Sequence, residues 1–245
     1  MNRRVQFTVL LVALLLLCTP LFGQDSEESE RVPTVEELYL RNPTLMAIVE
    51  QATAADRQSK LRALDDIQEL IDEDGVGANA SGVLDMLEYL SAEGVLREVK
   101  QSGQTVNYFP IVRRRAVELL GKLAQDSSDP DIRRRAQEIL LTILQRDEEV
   151  MVKSEAAYAL GLIGEDKDGR VTRILHEVIS AQTVVAPDNN FAYAVCLAIE
   201  KIAQYNRGIK NYQAYTALVT IMQGNYTRKV KDKAFEVLQS LKQYG

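Results

Sequence analysis

The apolar positions of this chain recur on a helical period through most of its length, and between Tyr108 and Gly164 they recur inside a repeated phrase. Val112-Arg113-Arg114-Arg115-Ala116, Ile132-Arg133-Arg134-Arg135-Ala136 and Val152-Lys153-Ser154-Glu155-Ala156 set an alanine at 116, 136 and 156, a step of 20 residues. Apolar residues follow each alanine at +3, +4 and +7, offsets that fall on one stripe of a helix with about 3.6 residues per turn. Each phrase therefore predicts one helix. Two helices make a unit of about 40 residues, the length of a helical-hairpin repeat. The fold class that follows is all-α, an α-solenoid of about five helical hairpins.

The same reading extends in both directions. Asn42-Pro43 interrupts a weak helical start at 35–40, and Thr44 is placed to cap a helix over 45–52. Asp56 caps its partner, whose apolar side carries Leu61, Ala63, Leu64, Ile67, Leu70 and Ile71. A loop is expected over 75–81, then a helix marked by Val83, Leu84, Met86, Leu87 and Leu90. An insertion at 98–109 has β-branched residues on both sides of Ser102-Gly103, the pattern of a small hairpin, and serves either as a binding device or simply as a longer connection. Helices follow over 111–123, 132–144, 150–163, 171–179, 191–203, 212–222 and 230–241, with Asp131 and Asp147 at cap positions. The second helices then share a small position for close stacking, at Ala63, Ala116, Ala156, Val195 and Ala234. Gly121 and Gly161 recur at another equivalent position, where close packing or a bend must offset their poor helix propensity.

The first residues break the pattern. Arg3 and Arg4 precede an apolar run from Val9 to Leu17 and then Thr19-Pro20-Leu21-Phe22-Gly23, the layout of an export signal over 1–23 cleaved after Gly23. The run is shorter than the roughly 20 apolar residues that a spanning helix needs. Cys18 offers an alternative, a lipid anchor of the kind bacterial lipoproteins carry, although Leu17 stands where a small residue is usual. Residues 24–37 hold Asp25, Glu27, Glu28, Glu30, Glu36 and Glu37 without apolar periodicity and read as an acidic, solvated spacer before a repeat domain at 38–245.

Composition narrows the chemistry. With 46% apolar and 26% charged residues, the chain is of ordinary globular type. Removal of Arg3 and Arg4 from 29 basic residues leaves 27 against 35 acidic side chains, a formal charge of −8. That sign argues against nucleic acid as a partner, because phosphate binding needs clustered Lys and Arg. Signal cleavage would leave Cys196 as the one thiol, within an apolar string that predicts a buried, inert side chain.

The strings Val152-Lys153-Ser154-Glu155-Ala156-Ala157-Tyr158-Ala159-Leu160-Gly161-Leu162-Ile163-Gly164 and Asp129-Pro130-Asp131-Ile132-Arg133-Arg134-Arg135-Ala136 resemble the HEAT repeat family, in particular its phycobilisome-lyase-like branch. The resemblance is strong over 108–164, fair over 188–243 and weak before residue 95. It implies a curved stack with first helices outside and second helices lining a concave face. It implies no single activity, since members are mostly scaffolds and protein-binding modules. Deoxyhypusine hydroxylase, a related enzyme, needs several His-Glu pairs for two irons, whereas this chain has the single pair His176-Glu177 and Ser154 where the best-matching repeat would put histidine. The HEAT-like DNA glycosylases use a basic groove with tryptophans, and this chain has none. Nothing singles out a bilin site, a Gly-rich phosphate loop, or a nucleophile with its histidine.

The expectation is an exported, non-enzymatic module of the periplasm or cell envelope that binds a protein partner on its concave face, with no catalytic, metal or cofactor-binding residues and no membrane insertion after cleavage. The alternatives are an envelope enzyme or lyase-like subunit with chemistry in the groove, and a lipid-anchored spacer. Positions −2 and +2 from the small core residues of the three central units should line the concave surface at 100° per residue. They are Arg114 and Glu118, Ser154 and Tyr158, Tyr193 and Leu197. The candidate protein-binding strip is Arg114, Tyr158, Tyr193 and an exposed Leu197, because Tyr and Arg offer large area with a directed polar group.

Overall fold

The computed structural model describes residues 43–73 and 76–244. The signal segment, the acidic spacer and the weak helical start at 35–40 lie outside the described residues. Among the described residues ten α-helices follow in order: α1 Pro43–Thr53, α2 Arg57–Asp72, α3 Ala80–Ala92, α4 Pro110–Asp126, α5 Pro130–Arg146, α6 Val150–Ile163, α7 Arg170–Ser180, α8 Asn189–Asn206, α9 Gln213–Gln223 and α10 Arg228–Leu241. Between α3 and α4 sits one two-stranded ribbon, β1 Lys100–Gln101 and β2 Gln104–Thr105. The chain is all-α and repeat-like, as its periodicity predicts.

Consecutive helices pair as antiparallel hairpins, and each hairpin stacks on the next in two layers. The first helices, α1, α3, α5, α7 and α9, pack in series; the second helices, α2, α4, α6, α8 and α10, form the other layer. A second helix inside the stack therefore has neighbours on three sides, which explains its composition. In α6, Val152, Ala156, Ala157, Ala159, Leu160, Gly161 and Ile163 are all buried, whereas the first helix α7 buries a single stripe around Val171, Ile174, Leu175 and Ile179. One continuous apolar core runs the length of the array.

The five small positions, Ala63, Ala116, Ala156, Val195 and Ala234, are fully buried. At the recurrent glycines the compensation is close packing. A Cβ on Gly121 would sit 2.7 Å from Ala159 Cβ, and one on Gly161 2.7 Å from Ala198 Cα, so each glycine admits the next second helix.

The insertion is a hairpin. Ser102 and Gly103 both take positive φ, 52° and 80°, the geometry of a two-residue turn whose twist suits an antiparallel pair. So short a ribbon needs support, and Asn107 supplies it: its side chain accepts from Val99 N–H (2.9 Å) and donates to the Arg97 carbonyl (2.8 Å).

Several helix starts differ from expectation. Thr44 is not a cap, because α1 begins at Pro43, a residue whose fixed φ suits the first helical turn. Pro130 likewise opens α5, so the cap is Asp129, which accepts from Asp131 N–H at 2.8 Å, and Asp131 lies inside the first turn. The loop expected over 75–81 closes early: a 3-10 turn at Gly77–Asn79 leads directly into α3. Asp147 does stand at a cap position, ending α5, and its carboxylate both accepts from Glu149 N–H (2.8 Å), just before α6, and pairs with Arg113. Asp56 is likewise the cap of α2, accepting from Ser59 N–H at 2.9 Å.

Candidate protein-binding surfaces

The strip drawn from the helical wheel falls on three successive second helices: Arg114 on α4, Tyr158 on α6, and Tyr193 with Leu197 on α8. All four are half-buried. Leu197, expected to be exposed, is also covered in part, since α6 and α10 both pack against α8 and take some of its surface. No direct bond joins the four residues. Instead each tyrosine carries a lysine from the next second helix over its ring, Lys201 Nζ 5.5 Å from the Tyr158 centroid and Lys229 Nζ 5.7 Å from that of Tyr193. These are cation–π distances. The rings thus help to join neighbouring helices while keeping part of their area open.

Charged partners extend this face across the stack. Arg115 bonds Gln68 of α2 and pairs with Glu118 at 2.9 Å. Glu155 of α6 lies beyond them; burial, then the Glu118 carboxylate, pushes its carboxyl above the usual range, and Arg114 and Arg115 oppose the rise. Arg114 Nε is buried without a hydrogen-bond partner. Farther along, Lys233 of α10 bridges Glu200 of α8 at 2.9 Å and Glu236 at 3.1 Å, beside a shallow cleft of about 440 Å³ bordered by Tyr193, Arg228 and Lys229. The sequence reading missed Lys201, Lys229 and Lys233, because the partner of each lies on another helix and is set by the stacking.

A second surface runs along the edge where first helices turn into second helices. Tyr108, at the base of the hairpin, donates to Glu149 (2.8 Å) and lies 4.6 Å from the Arg113 guanidinium, tying the insertion to the α5–α6 turn. Val150 and Met151 are exposed beside that turn. The next turn, after α7, presents Val184 and Val185 at 84% and 83% exposure. It is held by Thr183 Oγ1 donating to the Ala186 carbonyl (3.2 Å) and Asn225 Nδ2 donating to the Val185 carbonyl (2.8 Å). Exposed apolar residues grouped in this way make the edge a candidate contact surface. They were legible only as a loop, since exposure depends on what the stack leaves uncovered.

The remaining candidates for chemistry sit apart. His176 is half-buried on the first helix α7. Cys196 is fully buried on α8, and burial pushes its thiol up to about 12. Among the described residues no group of three or more His, Cys, Asp or Glu is placed to hold a metal ion, and no helix is long and apolar enough to cross a membrane. Comparison of the chain with protein-family models and with curated proteins returns no match.

Proposed function

We propose that this chain is a HEAT-type repeat module, exported to the periplasm or cell envelope, that binds a protein partner through its second-helix layer. One observation carries the reading: Arg114, Tyr158, Tyr193 and Leu197 stand half-open on three adjacent helices, with lysines over both tyrosine rings. Large side chains that are fixed by packing yet still present area are the kind that dominate protein interfaces, because little side-chain freedom remains to be lost on binding. Export rests on the basic, apolar and small-residue zones of residues 1–23.

The test is a chain carrying Arg114→Ala, Tyr158→Ala and Tyr193→Ala. It should keep its helical circular dichroism and lose the proteins crosslinked to the wild type in native cells. Unchanged recovery excludes this face, and a collapsed melting temperature assigns the tyrosines to packing alone. Mass spectrometry of the mature protein should find Gln24 at its N-terminus; diacylglycerol on Cys18 would replace release by anchoring.

A further inference from the structure

The first two junctions between hairpins share a buried ion pair, and the third keeps only half of it. Three residues before the small core position, the second helix carries a cation: Lys60 on α2, Arg113 on α4, Lys153 on α6. At the first junction Lys60 donates to the Ala52 carbonyl ending its own first helix (2.9 Å) and pairs with Glu93, the residue that ends the next first helix (2.9 Å). At the second, Arg113 donates to the Glu93 carbonyl (3.3 Å) and pairs with Asp147, which ends α5 (2.7 Å). These four side chains are almost wholly buried. At the third junction the residue that ends α7 is Ala181. Lys153 is present and its carboxylate is not. The fourth junction lacks both partners, with Ala192 in place of the cation and Gly224 ending α9. Only the third keeps one half of the pair.

A cleft of about 510 Å³ opens where the missing carboxylate would lie, with both Lys153 and Ala181 in its wall. That volume falls in the range of roughly 300–1,000 Å³ typical of clefts that hold small ligand groups. Val150, Val178, Pro187 and Phe191 contribute apolar wall, and Thr183 and Ala186 lead from it to the exposed Val184 and Val185. Two acids also line the cleft, and both are engaged. Asp188 accepts from Phe191 N–H at 2.8 Å as the cap of α8, and Glu177 pairs with Arg173 at 2.8 Å. Lys153 is half-buried and has no ion pair or side-chain hydrogen bond among the described residues. A half-buried lysine beside apolar surface, unpaired within the chain, is placed to take a carboxylate from outside, in the position that Glu93 and Asp147 fill at the first two junctions.

We propose that this cleft is a peptide-binding site, in which Lys153 receives an Asp or Glu side chain of a partner while the apolar neighbours of that residue lie on Val150, Pro187 and the Val184–Val185 turn. The site is on the turn edge, shares no residue with the strip on the second-helix face, and does not depend on it.

The experiment is panning of the folded protein against random heptapeptides displayed with blocked C-termini, followed by calorimetry with amidated synthetic copies of the enriched peptides. Enrichment of an acidic residue flanked by apolar ones is expected, with affinity falling about tenfold or more when that residue becomes Gln or when the protein carries Lys153→Gln. Ala181→Glu, which supplies the absent rung within the chain, should abolish binding while raising the melting temperature. The combined variant of Arg114, Tyr158 and Tyr193 should bind these peptides as the wild type does, which separates this site from the other face. No enrichment, enrichment without acids, or equal binding by Lys153→Gln overturns the proposal.

Discussion

Arg113 Nε lies 2.7 Å from Asp147 Oδ2, and the two side chains are 0% and 3% exposed. Thirty-four residues separate them in the chain, and the pair locks the second helix of one hairpin to the first helix of the next. Burying two charges is costly, and attraction compensates only where the geometry is good and the remaining groups are bonded. Here Asp147 Oδ1 also accepts from Arg113 Nη2 (3.2 Å) and from Glu149 N–H (2.8 Å), and Arg113 has the Glu93 carbonyl besides.

Asp147→Asn leaves the guanidinium buried without its counter-charge. The expected loss is about 3–5 kcal/mol in urea unfolding, with the helical signal retained below the transition. Replacing both partners by apolar residues of similar volume should recover much of that loss. A loss below about 1 kcal/mol for the single variant would show that the pair is open to water.

Glycine positions give opposite outcomes according to what faces them. Gly161→Ala places a methyl 2.7 Å from the backbone of Ala198, which cannot rotate away, so overpacking of about 1–3 kcal/mol should outweigh a helix-propensity gain of about 1 kcal/mol. Gly82→Ala, on α3, meets only the tip of the Leu45 side chain and should be neutral or mildly stabilising. Thermal melts of the two variants check the contrast.

Glu155 titrates above its ordinary value of 4.5, first through burial and then through Glu118. A raised carboxyl pKa means that folding favours the protonated form, so the contribution is fully present below pH 4.5 and is lost as pH rises through the folded value. Glu155→Gln should therefore raise the melting temperature at pH 7 and leave it unchanged near pH 4. Equal shifts at both pH values would assign the effect to something other than charge.

The Cys196 thiol, buried on α8 and held near 12, should resist a disulfide reagent at pH 8 in the native state and react fully in denaturant. Fast native labelling would mean that α8 opens locally.

The helices, their pairing in hairpins and the shared small positions were legible in the sequence, because a 3.6-residue period and a 20-residue recurrence are local signals that one strand of text preserves. The hairpin at Ser102-Gly103 was legible too, through turn chemistry. The caps were harder: a proline at the first helical position moves the boundary by one or two residues, and this carried Thr44 and Asp131 into their helices. The candidate strip was half legible. The wheel angle of Tyr158 and Tyr193 is local, but the lysines over their rings come from neighbouring hairpins.

What the sequence determined by itself is the array: which residues are helical, which face of each helix is apolar, and where Ala116, Ala156 or Gly161 must let a neighbour approach. Only the tertiary structure decided the partners. Asp147 reads as one more cap until stacking brings Arg113 beneath it, and Lys153 reads as one more surface lysine until Ala181 is seen in the place of the acid that would have met it. Pairing across a junction depends on the rotation from one hairpin to the next, and that rotation is set by the summed packing of both layers rather than by any short stretch of chain.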